Sequence, residues 1–301
     1  MTRAQIRFLA DGRRLHLQDG PIDLIVEACG REAEMRAAYD AAARRFAGLL
    51  DELCSELPDL RQGADPLRCP LQGVVARRMH AAVAPFAAGH FITPMAAVAG
   101  AVAEEILGAM LREARLDRAY VNNGGDIALH LADGERFTVG LMDRPDAQGL
   151  MRTMIVEADD PARGVATSGR HGRSFSLGIA DAVTVLARTA SQADAAATVV
   201  ANAVDLPGHP AIVRCPANEL QPDSDLGARL VTRDVGRLSD NEVMAALEAG
   251  AALARKLLAA GLIEGAALQL HRETVIVARG IDVTGSRRPV HKREVEGMVD
   301  A

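Results

Sequence analysis

The chain opens with short apolar runs separated by turn residues, a pattern typical of antiparallel strands. Residues 6–9 and 13–17 flank Asp11-Gly12, a dipeptide that favours tight hairpin turns. Residues 22–26 alternate imperfectly between apolar and polar and predict a third strand. The chain therefore begins with a small antiparallel sheet.

Helical periodicity replaces this pattern after the third strand. Apolar residues recur at helical spacing over 31–57, which predicts one long amphipathic helix that ends at Pro58. Residues 60–70 contain one glycine and two prolines and are predicted to form a loop.

Two further helices are predicted before residue 117. The first covers 72–84 and ends before Pro85. The second has Thr93 as its N-cap, Pro94 in its first position and its end near Glu113. The first part of the chain is thus predicted to contain three strands and then three helices.

The second part returns to extended runs. Strands are predicted at 118–121, 127–131, 137–142, 153–157, 211–215, 266–270 and 274–278, with a further β-rich run at 181–187. A long helix over 239–260 has Ser239 as its N-cap and Gly261 as its stop.

This succession predicts an α+β fold of antiparallel sheets with helices packed on one face. No stretch of the sequence resembles a linker. We therefore predict a single domain over 1–301, with approximate halves 1–117 and 118–285 and a charged tail at 286–301.

Composition narrows the possible partners. The chain has 301 residues, 49% of them hydrophobic, which is enough for a substantial core. The net charge of −6 and an aromatic content of 3% without tryptophan argue against a nucleic-acid partner. Alanine-rich helices and edge strands are compatible with a homodimer.

The sequence also indicates the cellular compartment. The first residues lack the apolar core of a secretion signal, and no run approaches 18 uninterrupted apolar residues. We predict a cytoplasmic protein with no membrane segment. The four cysteines have no metal-ligand spacing and are predicted to be reduced, mostly buried thiols.

The first candidate site is Gly124-Gly125-Asp126, which is predicted to interrupt an apolar strand. Glycine within a strand marks either a bulge or a place where a ligand or another backbone comes close. Spacing alone does not choose between these interpretations.

The second candidate begins with Thr167-Ser168-Gly169 and continues through two arginines to residue 174. Its backbone amides are predicted to form an anion-binding nest, or else the segment is an exposed loop. Ser168 and His171 do not make a credible nucleophilic pair, because spacing fixes no carboxylate that would orient the imidazole.

The third candidate is the pair Asp194 and Thr198. Residues four apart on a helix share one face, so these two offer oxygen ligands to a cation. The structural alternative is that Ser191 and Asp194 form a capping box at the start of the helix.

Taken in order, these motifs resemble the ApbE flavin transferases over roughly residues 90–205. Most of the chain resembles the ApbE-like UPF0280 family, including the segment 91–100. The resemblance implies a duplicated T-fold. The transferases cleave FAD with a divalent metal and attach FMN to a threonine of a target protein.

Carried over by position, Asp194 and Thr198 correspond to the Mg²⁺ ligands of these transferases. The resemblance likewise implies that Gly124, Gly125 and Asp126 adjoin the flavin nucleotide. Thr167, Ser168 and Gly169 correspond to the loop beside the same pocket. The implied partners are a small-molecule phosphate ligand and an acceptor protein.

Two departures separate the chain from the transferases. Between Arg170 and Ala180 it lacks their His-x-x-Asp-Pro-x-Thr-Gly segment, and Ala99 stands where they have lysine. Two hypotheses follow: a metal-assisted enzyme acting on a flavin- or nucleotide-like phosphate ligand, or a binding or accessory protein without transferase activity. No catalytic residue is assigned.

Overall fold

A computed structural model describes residues 4–142, 150–278 and 298–300. The strands are β1 (Gln5–Phe8), β2 (Leu15–Asp19), β3 (Ile22–Cys29), β4 (Arg118–Asn123), β5 (Asp126–Leu131), β6 (Arg136–Met142), β7 (Leu150–Glu157), β8 (Gly164–Ser168), β9 (Ala182–Ala187), β10 (Ile212–Pro216), β11 (Leu230–Val235), β12 (Gly265–Leu270), β13 (Glu273–Ala278) and β14 (Met298–Asp300). The helices are α1 (Glu32–Phe46), α2 (Leu49–Ser55), α3 (Leu57–Leu60), α4 (Val74–Ala87), α5 (Val98–Glu113), α6 (Ala190–Ala203), α7 (Ala217–Leu220) and α8 (Asp240–Ala259), with a 3₁₀ turn at Pro94–Ala97.

One antiparallel sheet organises the fold. Its nine strands lie in the order β1-β2-β3-β4-β5-β8-β9-β12-β13. A second sheet contains β14, β6 and β7, in which β14 and β6 are parallel. A separate hairpin, β10–β11, follows α6.

Alternating side chains separate two cores. On one face of the large sheet, Leu24, Val121 and Val183 pack with the apolar faces of the helices. On the other face, Ile127 and Val165 belong to a smaller cluster with residues of β6 and β7. The predicted α+β fold with helices on one face is confirmed.

The large sheet is continuous across residue 117. Strands β3 and β4 pair directly, with Cys29 opposite Arg118. On one side of the β5–β8 pairing, three strands are followed by helices and then by β4 and β5; on the other side, β8 and β9 precede α6 and α8, and β12 and β13 follow them. The division into halves at 117 stays a prediction, and 286–297 of the charged tail lie outside the described residues.

The prediction of one helix over 31–57 is wrong. Helix α1 ends at Phe46, and Gly48 adopts a left-handed φ of 83° before α2 begins. Pro58 does not stop a helix either, because it lies in the first turn of α3, where its missing N–H has no partner to lose. Apolar periodicity does not register such a break because α1 and α2 bury residues in the same core.

The ends of the next two helices also differ from prediction. Helix α4 continues through Pro85 to Ala87, since a proline in the last turn removes only one hydrogen bond. Helical structure begins at Pro94 as predicted, but as a 3₁₀ turn, and the Thr93 hydroxyl donates to Asp225 (2.5 Å) and does not cap it. Ser239 caps α8 as predicted.

Burial corrects one further expectation and explains the apolar helix at the centre. Cys54 and Cys69 are exposed, so the cysteines are free but not mostly buried.

The 20 residues Pro94–Glu113 are long and apolar enough to cross a membrane by length and composition alone. An apolar stretch of 18 residues within them is 61% buried inside the protein. Burial of that kind is what a core helix of a globular domain shows.

Candidate functional site

Gly124 and Gly125 form the turn of the β4–β5 hairpin. Their φ angles of 67° and 111° are both positive, as tight two-residue hairpin turns require. The Gly125 N–H donates to Asn122 Oδ1 at 2.8 Å. The predicted interruption or bulge within a strand is therefore wrong. The turn places Asp126 at the first position of β5.

Strand β8 brings the second motif to Asp126. The Thr167 N–H donates to Asp126 Oδ1 at 3.3 Å across 41 residues of sequence. The Thr167 hydroxyl is 2.8 Å from that of Thr184, and Ser168 ends the strand. A Cβ on Gly169 would lie 2.4 Å from the Asp181 carbonyl oxygen, so this turn is packed against the next strand.

Helix α6 brings Asp194 to the same region. Its Oδ2 accepts the backbone N–H of Gly100, in the first turn of α5, at 3.0 Å. A Cβ on Gly100 would lie 2.3 Å from the Ala190 carbonyl oxygen, so only glycine permits this close crossing. Asn123 Nδ2 donates to Ala99 O at 3.2 Å, which ties the hairpin to the start of α5.

The capping-box interpretation of Asp194 is wrong. Helix α6 begins at Ala190, and its cap is Thr189, whose side chain accepts the N–H of Gln192. Asp194 lies in the second turn, beyond the reach of a capping box, and its carboxylate binds another helix. Its role is therefore not to start α6.

The electrostatics of the two carboxyl groups are strongly perturbed. Burial raises the pKa of Asp194 to about 7, against the opposing effect of the N–H of Gly100. Burial and then the charge of Asp194 raise the pKa of Asp126 well above its ordinary value, although the Thr167 N–H and Arg173 oppose this. Both residues keep part of their surface accessible to solvent. Because ionisation of one carboxyl group disfavours ionisation of the other, the pair forms a site that attracts a cation.

Arg173 supplies a cation to this group. A Cβ on Gly124 would lie 2.4 Å from Arg173 Nη2, so the guanidinium rests directly on the hairpin turn. The transferase-like lysine is absent at Ala99, and here a positive charge comes from the segment after β8 instead. Spacing alone gave no sign that Arg173 folds back onto Gly124.

Thr198 lies one turn after Asp194 on α6, as the spacing predicts. It lines a cavity of about 500 Å³ that extends toward the C-terminal half of this helix. Within residues 4–142, 150–278 and 298–300, no three His, Cys, Asp or Glu side chains form a group suited to a metal ion. A cation at Asp126 and Asp194 would thus have no third carboxylate, imidazole or thiolate ligand among the described residues.

The loop after Gly169 is not a free anion nest. The N–H groups of Arg170 and Gly172 donate to backbone carbonyls at 2.9 and 3.1 Å. Two of its basic side chains instead contact Asp181, whose side chain is 1% exposed. Arg170 Nη2 is 2.6 Å and His171 Nε2 is 3.2 Å from the same carboxylate oxygen. A carboxylate does lie beside His171, ten residues further along the chain, which sequence spacing missed.

Comparison with known proteins identifies the family of the chain. The model of a family described as AbpE bacteria matches residues 6–277. A UPF0280 protein of Methanopyrus kandleri is 36% identical over 182 residues, covering 60% of this chain and 69% of the relative. A UPF0280 protein of Methanosarcina barkeri is 32% identical over 193 residues, covering 61% and 70%. Another, from Archaeoglobus fulgidus, matches over only 57% of its own length at 35% identity.

Two solved structures are also similar. A variant of the flavin transferase ApbE from Vibrio cholerae has a TM-score of 0.49 and 12% identity, covering 89% of this chain and 98% of that one. The apo flavinyl transferase ApbE of Pseudomonas stutzeri has a TM-score of 0.42 and 13% identity, covering 92% and 94%. From the match over residues 6–277 and from its UPF0280 relatives, the chain belongs to the bacterial AbpE family, in the UPF0280 and ApbE-like group.

Proposed function

We propose that Asp126, Asp194 and Thr198 bind a divalent metal ion, most simply Mg²⁺, together with the phosphate of a flavin- or nucleotide-like ligand. The observation that carries this proposal is the convergence of Asp126 and Asp194 from β5 and α6, with a raised pKa at both carboxyl groups. A dication between them would stabilise both charged forms at once.

The available ligands fit Mg²⁺. This ion usually takes one or two carboxylates from the protein and completes its shell with water and substrate phosphates. Two carboxylates with a nearby threonine hydroxyl meet that requirement without a third acidic residue. When bound, the metal would neutralise charge on the phosphate oxygens.

The surrounding residues have complementary roles in this proposal. The Arg173 guanidinium, now against Gly124 and near Asp126, would bind the phosphate with charge-assisted hydrogen bonds. Gly124 and Gly125 keep the hairpin turn free of side chains. Thr167, Ser168 and Gly169 would form the neighbouring wall of the ligand site.

The resemblance of the motifs to ApbE transferases points to FAD or a related nucleotide as the ligand. Transfer of FMN from FAD to a threonine of an acceptor protein, with release of AMP, is the corresponding reaction. A cytoplasmic homodimer is part of the same proposal. The second candidate is a non-catalytic binding protein, which the missing His-x-x-Asp-Pro-x-Thr-Gly segment and Ala99 favour.

Incubation with FAD, Mg²⁺ and a threonine-bearing acceptor tests the enzyme. We expect AMP by chromatography and an FMN adduct by mass spectrometry, both lost in Asp194→Asn and retained in the exposed control Asp159→Asn. If neither product forms but FAD and Mg²⁺ together raise the melting temperature, the non-catalytic alternative stands. If no flavin or nucleotide shifts the melting temperature with Mg²⁺, both forms of the proposal are wrong.

A further inference from the structure

A cavity of about 500 Å³ lies between α6, the segment before the 3₁₀ turn and the β10–β11 hairpin. Such a volume suits a small molecule. The hairpin lies outside the range 90–205 that resembles the transferases, so that resemblance does not account for this wall. The side chains used below are Phe91, Thr198, Asp205, Arg214, Arg229 and Leu230.

Contacts to three parts of the chain fix the hairpin in place. Thr93 donates to Asp225 at 2.5 Å, and Arg61 Nη2 is 2.8 Å from Asp223, both in the segment before β11. From β11 itself, the Thr232 N–H donates to the Ser176 carbonyl oxygen at 2.9 Å. The cavity is therefore walled by an ordered element.

The rim of the cavity is apolar and flat. Phe91 and Leu230 are large hydrophobic residues that remain 36% and 54% exposed. The Arg229 guanidinium carbon lies 3.1 Å from the centroid of the Phe91 ring. A guanidinium stacked on an aromatic ring presents a planar, positively charged surface. Such a rim favours a planar ligand.

Arg214 contributes a positively charged guanidinium group to the wall. Its Nη2 pairs with Asp205, whereas its Nε is buried and has no hydrogen-bond partner among the residues described. The strand register shifts between Val213 and Arg214, a bulge of the kind that redirects a side chain. The part of the guanidinium group that faces the cavity is paired with Asp205, so an anionic ligand would compete with this carboxylate for it.

The charges of these groups indicate the sign of the ligand. Two guanidinium groups, those of Arg214 and Arg229, face one carboxylate, that of Asp205, along the cavity wall. We propose that the cavity binds a small planar aromatic anion, with its ring against Phe91 and Leu230 and its anionic oxygens on the guanidinium groups of Arg214 and Arg229. This inference goes beyond the proposed function, since it needs neither a metal nor a phosphate.

The position of the cavity relates it to the carboxylate pair. Thr198 lines the cavity and shares a helix face with Asp194. The aromatic anion would thus contact Thr198, one of the residues of the proposed metal site. A ligand held here would be a second ligand, separate from the phosphate ligand at the two carboxylates.

The test uses 2-naphthoate, its uncharged isostere 2-naphthamide and the non-planar anion cyclohexanecarboxylate. The protein has no tryptophan, so naphthoate fluorescence can be followed without that background. We expect naphthoate to bind at least tenfold more tightly than either comparison compound. Arg214→Gln is expected to weaken its binding at least tenfold, and Phe91→Leu severalfold.

Two further variants keep the test decisive if Arg214→Gln unfolds. Asp205→Asn removes the competing carboxylate and is expected to strengthen naphthoate binding severalfold. Arg233→Gln, an exposed arginine on the same hairpin, is the matched control and should leave binding unchanged. Equal affinity for naphthoate and naphthamide, no naphthoate binding, or no effect of Asp205→Asn in a folded protein would overturn the proposal.

The metal-site proposal and the cavity proposal can be refuted independently. Naphthoate affinity should be the same with and without Mg²⁺, because no metal takes part in binding this probe. Retained naphthoate binding with no Mg²⁺ dependence of any phosphate ligand would contradict only the metal site. Mg²⁺-dependent pyrophosphate binding without naphthoate binding would contradict only the cavity proposal.

Discussion

At pH 8 the Asp194→Asn variant is expected to be more stable than the unsubstituted protein, although it removes a hydrogen-bonding carboxylate. Burial disfavours the charged form of Asp194 and raises its pKa. Asparagine keeps an oxygen that can accept the Gly100 N–H but cannot ionise. The variant therefore removes the cost of burying a charge while preserving the contact with α5.

The magnitude follows from the pKa of Asp194, which rises from 3.8 to about 7 on folding. The folded state thus binds a proton that the unfolded state has lost between these pH values. The stability linked to this group is fully present below pH 3.8 and is lost as the pH rises through about 7. At about 1.4 kcal/mol for each pKa unit, the loss between pH 5 and pH 8 is roughly 3 kcal/mol.

Urea unfolding at pH 5 and pH 8 measures this effect. The free energy of unfolding of the unsubstituted protein, relative to Asp194→Asn, should fall by about 3 kcal/mol from the lower pH to the higher. Asp159→Asn, at an exposed position, serves as the control and should follow the unsubstituted protein. Added Mg²⁺ should reduce the gap at pH 8 and have little effect at pH 5, where protons compete for the carboxylates.

Parallel pH profiles for Asp194→Asn and the unsubstituted protein would refute this reasoning. That result would mean that Asp194 ionises in the folded protein as easily as in the unfolded chain. A variant that loses stability equally at both pH values would instead assign Asp194 a purely structural role at the start of α5.

Two other predictions concern residues of α5. Gly100→Ala should destabilise the protein by about 3 kcal/mol or more in thermal unfolding, because the new Cβ would clash with the Ala190 backbone. Gly108→Ala, on the same helix, should stabilise the protein by roughly 0.5–1 kcal/mol. Equal effects of the two changes would contradict the close helix crossing. Burial acts to raise the pKa of Glu105, but hydrogen bonds from two arginines hold this pKa below its usual value. The stability that Glu105 gives the folded protein should therefore be lost as the pH falls through that lowered pKa. Glu105→Ala should cost about 3–5 kcal/mol in urea unfolding at neutral pH, whereas Glu113→Ala, in an exposed ion pair, should cost less than about 1 kcal/mol.

The sequence was sufficient for those elements that local chemistry determines. The Asp11-Gly12 hairpin, the capped helix α8 and the closing β12–β13 hairpin each follow from turn residues, caps and periodicity. The turn at Gly124–Gly125 was not predicted, because the apolar residues on both sides of it resemble one continuous strand. Only the pairing of Asn123 with Asp126 shows that the chain reverses there.

The candidate site was predictable only in part, because long-range packing makes it. The spacing of Asp194 and Thr198 indicated one helix face, but not that Asp194 binds the start of α5. Arg173 on Gly124 and Asp181 beside His171 depend on how the loop after β8 folds. Strand β11 was not predicted, so the cavity wall that it helps to form was missed as well.

Calorimetric titration of Mg²⁺ at pH 8, in the presence of pyrophosphate, tests the central claim most directly. The claim predicts one Mg²⁺ bound per chain, with affinity at least tenfold weaker in Asp126→Asn and in Asp194→Asn and unchanged in Asp159→Asn. Binding that neither carboxylate substitution alters, or the absence of Mg²⁺ binding to the unsubstituted protein, would contradict it.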